Sequence, residues 1–244
     1  MDKIQIIDKP AKFSKIILPD ESIPRAFFTK EYVETIEQIR NYAKKNFTKL
    51  PQKNFFFHHD DERQIGVERL AKYFDSKGYA VIKPENFSFY DQLNILANCE
   101  RFASTVGSCS HNSIFLKDHA EVLFIPRCTA IINRLQNILN HMHDKNIFYV
   151  DSTLSVFKVN TKGPFCYLIS PQLKKFFGDS ERWEKEDFEI LTQHVNWARA
   201  KGLEPIEDVK KYYSNVMRYF IKQLERHEDL IKNFKYLKYL KENF

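Results

Sequence analysis

The residues best suited to chemistry stand together in Gly107-Ser108-Cys109-Ser110-His111-Asn112. Two hydroxyls, an imidazole and a carboxamide follow a glycine, which allows the backbone to come close to a ligand. Thr105, just before it, supplies another hydroxyl. Backbone N–H groups that open a helix, joined by such hydroxyls, suit an anionic group. His111 adds a donated N–H or, when protonated, a charge; the alternative is that it caps a helix or bonds a carbonyl. Asn112 falls in the first turn of the helix expected to follow.

What positions that turn is the alternation of elements over residues 53–127. The units are 54–57, 65–77, 79–83, 88–98, 101–106 and 120–125, in which apolar strands are separated by amphipathic helices. This order predicts an α/β fold, with a Rossmann-like parallel sheet of at least four strands flanked by helices. The polar turn follows strand 101–106, at the carboxyl edge where open α/β sheets bind ligands. Gly78 falls between a helix and a strand, where a left-handed C-cap is expected.

Around this core, residues 1–52 read as a lead-in, with short strands at 4–7 and 15–18 and a helix at 30–46 capped by Thr29. Residues 128–206 read as a mixed extension. It has a helix at 130–142, a strand at 147–150 ending at Asp151, a small hairpin or irregular loop across 157–168, and a helix at 184–200. Residues 207–244 form a basic helical segment. It either packs on the sheet domain or, through Lys232, Lys235, Lys238 and Lys241, touches the inner membrane or a partner.

The 244 residues include 22 Phe and 12 Tyr, and 43% are hydrophobic, which excludes disorder. A net charge of +6 is a mild excess, compatible with anionic ligands. Nucleic-acid binding is disfavoured, because acidic residues interrupt the basic runs and the aromatics fall at core-like spacings. The first residues lack a signal peptide's apolar run, so a cytoplasmic location is expected, with peripheral attachment to the inner membrane as the variant. Cys99, Cys109, Cys128 and Cys166 lie too far apart for a zinc site and read as reduced thiols.

Taken in order, several pieces resemble glycosyltransferase family 61, especially its bacterial members that build capsule or lipopolysaccharide glycans. They are Arg63 and Glu68, then Gly78-Tyr79-Ala80-Val81-Ile82-Lys83-Pro84-Glu85, then Phe89 and Gln92. The turn Ser104-Thr105-Val106-Gly107-Ser108-Cys109-Ser110-His111-Asn112-Ser113-Ile114-Phe115 and the strand with Glu121 complete the order. Two positions depart from the pattern. Ser104 stands where glycine is common, and His58-His59 where Ser-Arg is frequent.

The resemblance implies the nucleotide-sugar-binding lobe of a two-lobed GT-B enzyme. The reaction implied is inverting, metal-independent transfer from a nucleotide sugar to a lipid-linked or oligosaccharide acceptor, with no cofactor. The acceptor lobe is then minimal and rebuilt from other segments, absent because the chain is a fragment, or supplied by a partner chain. A non-catalytic subunit of a glycan-assembly complex is the competing reading.

In this scheme Thr105, Gly107, Ser108, Ser110 and Asn112 hold the donor's diphosphate, and His111 neutralises it as it leaves. Arg63, at a helix start, is either a surface residue or a second cation for the same anion. Glu85 bonds ribose hydroxyls or caps local backbone, while Gln92 meets the donor or orients the loop around Glu85. His59 lines the cleft. Asp151 and Asp60 are the candidate general bases, since transfer needs a group near the acceptor hydroxyl. Asp60-Asp61 does not make a metal-binding Asp-x-Asp pair.

Overall fold

The computed structural model describes residues 28–59, 61–127, 134–142, 145–153 and 163–202. Its strands are Asn54–Phe57 (β1), Gln64–Ile65 (β2), Ala80–Ile82 (β3), Arg101–Thr105 (β4), Glu121–Ile125 (β5), Asn146–Tyr149 (β6) and Phe165–Cys166 (β7). Five of them make one sheet in the order β3-β1-β4-β5-β6, with every pair parallel. The other two, β2 and β7, pair in parallel as a small separate sheet. The helices are Lys30–Asn46 (α1), Val67–Ser76 (α2), Phe89–Asn98 (α3), Ser108–His111 (α4), Arg134–Asn140 (α5), Pro171–Phe176 (α6) and Lys185–Ala200 (α7).

Local chemistry sets where these helices begin. Thr29 Oγ1 accepts from the Tyr32 N–H at 3.3 Å, Ser88 Oγ from Asp91 at 3.2 Å, and Ser170 Oγ from Leu173 at 3.1 Å. Pro171 opens α6, where its missing N–H costs nothing.

Burial on both faces explains why the strands read as unbroken apolar runs. Phe56, Ala103, Leu123 and Ile125 pack with Leu70 and Phe74 of α2 and with Phe165, Tyr167 and Ile169. Phe55, Phe57, Phe102, Val122 and Phe124 pack the other way, against Ile95 and Leu96 of α3. The sheet thus joins the expected Rossmann-like class, with Gly107 to Asn112 at its carboxyl edge.

One expectation differs from the structure. The helix read over 65–77 begins only at Val67, because Gly66 adopts a left-handed conformation (φ 88°) that stops a helix and releases Gln64–Ile65 into β2. Four strands of the main sheet fall within 53–127, as expected, and the strand expected at 147–150 is β6, which joins the same sheet as its fifth member. Phe165–Cys166 pairs in parallel with β2, while 157–159, the other arm of the expected hairpin or loop, lies outside the described residues. The strands expected at 4–7 and 15–18, residues 154–162 and the basic segment 207–244 lie outside the described residues.

Candidate functional site

The strand order fixes where a ligand would enter. From β1 the chain crosses outward to β3 and then returns past β1 to β4, so the direction of winding reverses between β1 and β4. Open sheets form a crevice beyond the carboxyl ends of the strands at such a reversal. His58 and His59 follow β1 there, Glu85 follows β3, and Gly107 follows β4.

The turn after β4 closes on itself. Ser110 Oγ accepts from the Gly107 N–H at 3.0 Å, and the Ser110 N–H donates to the Gly107 carbonyl at 3.1 Å. The single Ser110 hydroxyl proton is shared between the Gly107 carbonyl (2.7 Å) and Gln136 Oε1 (2.6 Å). Buried Ser110 therefore spends its hydroxyl inside the turn, whereas Ser108 is exposed. In the first turn of α4, the N–H groups of Ser108 and Cys109 have no acceptor within the helix.

His111 Nδ1 lies 3.0 Å from Gln136 Oε1. An amide oxygen only accepts, so Nδ1 carries a proton and the neutral ring keeps its lone pair on Nε2. Burial lowers the His111 pKa, Gln136 partly raises it, and the charge of Arg127 lowers it further. Gln136 also donates to Ser113 Oγ (3.2 Å) and Asn140 Oδ1 (2.9 Å), so one buried carboxamide organises the whole turn.

Gln92 orients the neighbouring loop. Its Nε2 donates to the carbonyls of Pro84 (2.9 Å) and Phe87 (3.1 Å), and its Oε1 accepts from Asn112 at 3.1 Å. The short helix Pro84–Asn86 is thereby tied to the Gly107 turn and carries Glu85, whose carboxylate lies 3.1 Å from His59 Nδ1. Both side chains are about one-third exposed. Thr105, in contrast, is 1% exposed and lies beneath the turn.

Arg63 does not start a helix; it sits in the turn before β2, and its guanidinium binds the Asp61 carboxylate through Nε (2.8 Å) and Nη2. That pairing lowers the Asp61 pKa. Asp151 follows the last residues of β6, and burial raises its carboxyl pKa to about 6. Asp60 lies outside the described residues. His58 is buried, with Nδ1 beside the His59 carbonyl and its ring stacked on Phe56.

The sequence reading missed Arg127, Tyr167 and Gln136. Thr105 and Ile125 are register partners, so Gly107 and Arg127 each stand two residues beyond the same pair. A Cβ on Gly107 would lie 2.3 Å from Arg127 Nη2 and 2.6 Å from Cζ, so only glycine admits the guanidinium here. Its Cζ sits 4.9 Å from the Phe165 ring centroid. Arg127 Nε, the Tyr167 hydroxyl and both amide atoms of Gln64 are buried without hydrogen-bond partners. Arg127 was findable from the sequence, because it lies at the carboxyl end of a recognised strand.

A concavity of about 350 Å³ lined by Glu37, Arg40, Lys44, Phe115, Lys117 and Asp118 lies toward the opposite, amino edge, and none of these residues belongs to the crevice. Among the described residues no three His, Cys, Asp or Glu side chains come together as metal ligands. Among them, too, no helix is long and apolar enough to cross a membrane. Buried Cys109 has its thiol pushed up to about 12, first by burial and then by the charge of Glu85. The family model described as Glycosyltransferase 61 matches residues 9–123. No curated protein matches the chain.

Proposed function

The chain belongs, through residues 9–123, to glycosyltransferase family 61, and on that premise we propose that it transfers a sugar from a nucleotide-sugar donor to a cell-surface glycan acceptor. The observation that carries this reading is the winding reversal between β1 and β4, which gathers His59, Glu85 and the Gly107–Asn112 turn at one crevice. The donor's diphosphate lies against the α4 turn, near the Ser108 hydroxyl and the Ser108 and Cys109 N–H groups, and Glu85 faces the ribose. His111, neutral at rest, takes a proton from solvent on Nε2 and donates that N–H to the leaving diphosphate as negative charge gathers there.

Inversion follows if a base on the far side of the sugar takes the acceptor's proton while the hydroxyl attacks. Asp151, with its pKa raised to about 6, is suited to that role near neutral pH. Protein cations and amides carry the leaving-group charge in this scheme, without a metal. The acceptor, lipid-linked or oligosaccharide, is positioned by segments outside the described residues or by a partner chain.

The test is a panel of nucleotide sugars screened by thermal shift, followed by donor turnover with the one that binds. The expected result is one donor that raises the melting temperature and is turned over, with turnover at least tenfold lower in His111→Ala. Donor binding with no turnover, with any acceptor glycan offered, favours a non-catalytic subunit. No binding across the panel refutes the donor assignment.

A further inference from the structure

We propose that Arg127 is the phosphate anchor of this crevice, holding the donor's diphosphate through its guanidinium with the Tyr167 hydroxyl beside it. This rests on the nucleotide-sugar reading for the identity of the ligand, but not for its charge. The first ground is the partner count. Among the described half-buried arginines, Arg40 holds Glu37 and Asp118, Arg63 holds Asp61, and Arg69 holds Glu184 and Asp187. Arg127 alone in that set has no carboxylate, and its buried Nε has no acceptor. Arg127 is half-buried, its charge reaches the Asp61 carboxylate without pairing with it, and its fork of donors matches phosphate oxygens.

The second ground is that the protein holds this guanidinium in place. Gly107 leaves room for it against the turn, and the Phe165 ring supports it from another side. Phe165 and Tyr167 come from β7 and the residues after it, and the small sheet with β2 fixes them. Fully buried Tyr167 stands near Thr105 and Arg127, but neither contact has hydrogen-bond geometry. Burial raises its pKa, so the phenol keeps its proton and can donate it to an anion.

The arrangement couples the anchor to His111. The Arg127 charge lowers the imidazole pKa. An anion that neutralises Arg127 removes this effect and adds its own negative charge, so docking of the diphosphate raises the His111 pKa. Free pyrophosphate shares the ligand chemistry, and the experiment separates it from the nucleotide.

Calorimetry would measure binding of pyrophosphate, uridine diphosphate, guanosine diphosphate and the phosphate-free nucleosides to wild type, Arg127→Met, Arg127→Lys, Tyr167→Phe and Gly107→Ala. Phosphate-bearing probes should bind wild type and lose at least tenfold in affinity in Arg127→Met, with a smaller loss in Arg127→Lys and Tyr167→Phe. Gly107→Ala should match Arg127→Met, since its methyl displaces the guanidinium without removing the charge. NMR titration of His111 should show a higher pKa when diphosphate binds wild type, and a higher pKa in ligand-free Arg127→Met. Circular dichroism identifies any variant that does not fold, and the charge-keeping Lys variant then carries the comparison. Unchanged diphosphate affinity in Arg127→Met overturns the anchor alone. Arg127-dependent pyrophosphate binding with no response to any nucleotide or nucleotide sugar overturns the donor reading alone. Wild type that binds none of the probes overturns both.

Discussion

At the scale of single residues, the turn depends on a side chain that touches no proposed ligand. Gln136 accepts from His111 and Ser110 through Oε1 and donates to Ser113 and Asn140 through Nε2. Gln136→Met keeps the volume but leaves these buried groups short of partners, at a cost of about 1–3 kcal/mol. It also frees the His111 ring from its fixed tautomer and removes a contact that raises its pKa. The expected outcome is a melting temperature several degrees lower, a lower His111 pKa by NMR and slower donor turnover. An unmoved imidazole titration would remove Gln136 from any role in setting the protonation of His111. Nothing in the sequence flagged Gln136, because a glutamine on a short amphipathic helix has the same pattern whether it is a hub or solvated. His111 was legible because it stands beside the glycine and serines of its own turn.

At the scale of elements, the main sheet was legible because its strands are unbroken apolar runs and the helices between them carry enough residues for a period to show. The two-residue β2 shows neither and was missed, and β7 was read only as part of a hairpin or irregular loop. Yet they set the crevice wall, since β7 and the residue after it bring in Phe165 and Tyr167. Gly66 is the point where that wall is fixed. A Cβ there would lie 2.1 Å from the Tyr167 carbonyl oxygen and 2.7 Å from Ile190 Cγ2, at a φ of 88°. Gly78 has a similar φ of 79° but open space around its Cα. Gly78→Ala should therefore cost only the left-handed strain, about 1 kcal/mol. Gly66→Ala adds a backbone clash and should cost at least ~3 kcal/mol, lowering the melting temperature by roughly 6–12 °C. Equal melting temperatures for the two variants would show that the β2–β7 layer gives way freely and does not brace the site.

For the whole molecule, two buried groups oppose one another as pH falls. His194 on α7 has its pKa pushed down to about 4 by burial. In the unfolded chain it titrates near 6.5, so between those values the unfolded state binds more protons and acid weakens the fold. From pH 7 to pH 5 this removes about 2 kcal/mol. His58 and His111 are shifted in the same direction and add to the loss. Asp151 works the other way. Its folded pKa of about 6 lies above the ordinary carboxylate value, so the folded state binds the extra proton. The stability it contributes is full below the unfolded pKa and is lost as pH rises through 6; from pH 7 down to pH 5 it returns about 1 kcal/mol. Asp151→Asn removes that return along with the proposed base. The variant should be at least as stable as wild type at pH 7, because it buries no carboxylate charge. It should then lose about 1 kcal/mol more than wild type between pH 7 and pH 5, measured by urea unfolding at each pH. Donor transfer by wild type should fall through an inflection near pH 6 while the fold remains intact. In the variant, transfer should be low throughout and without that inflection. If wild type and variant share the same stability slope, Asp151 titrates normally. It would then lack the raised pKa that recommends it as the base.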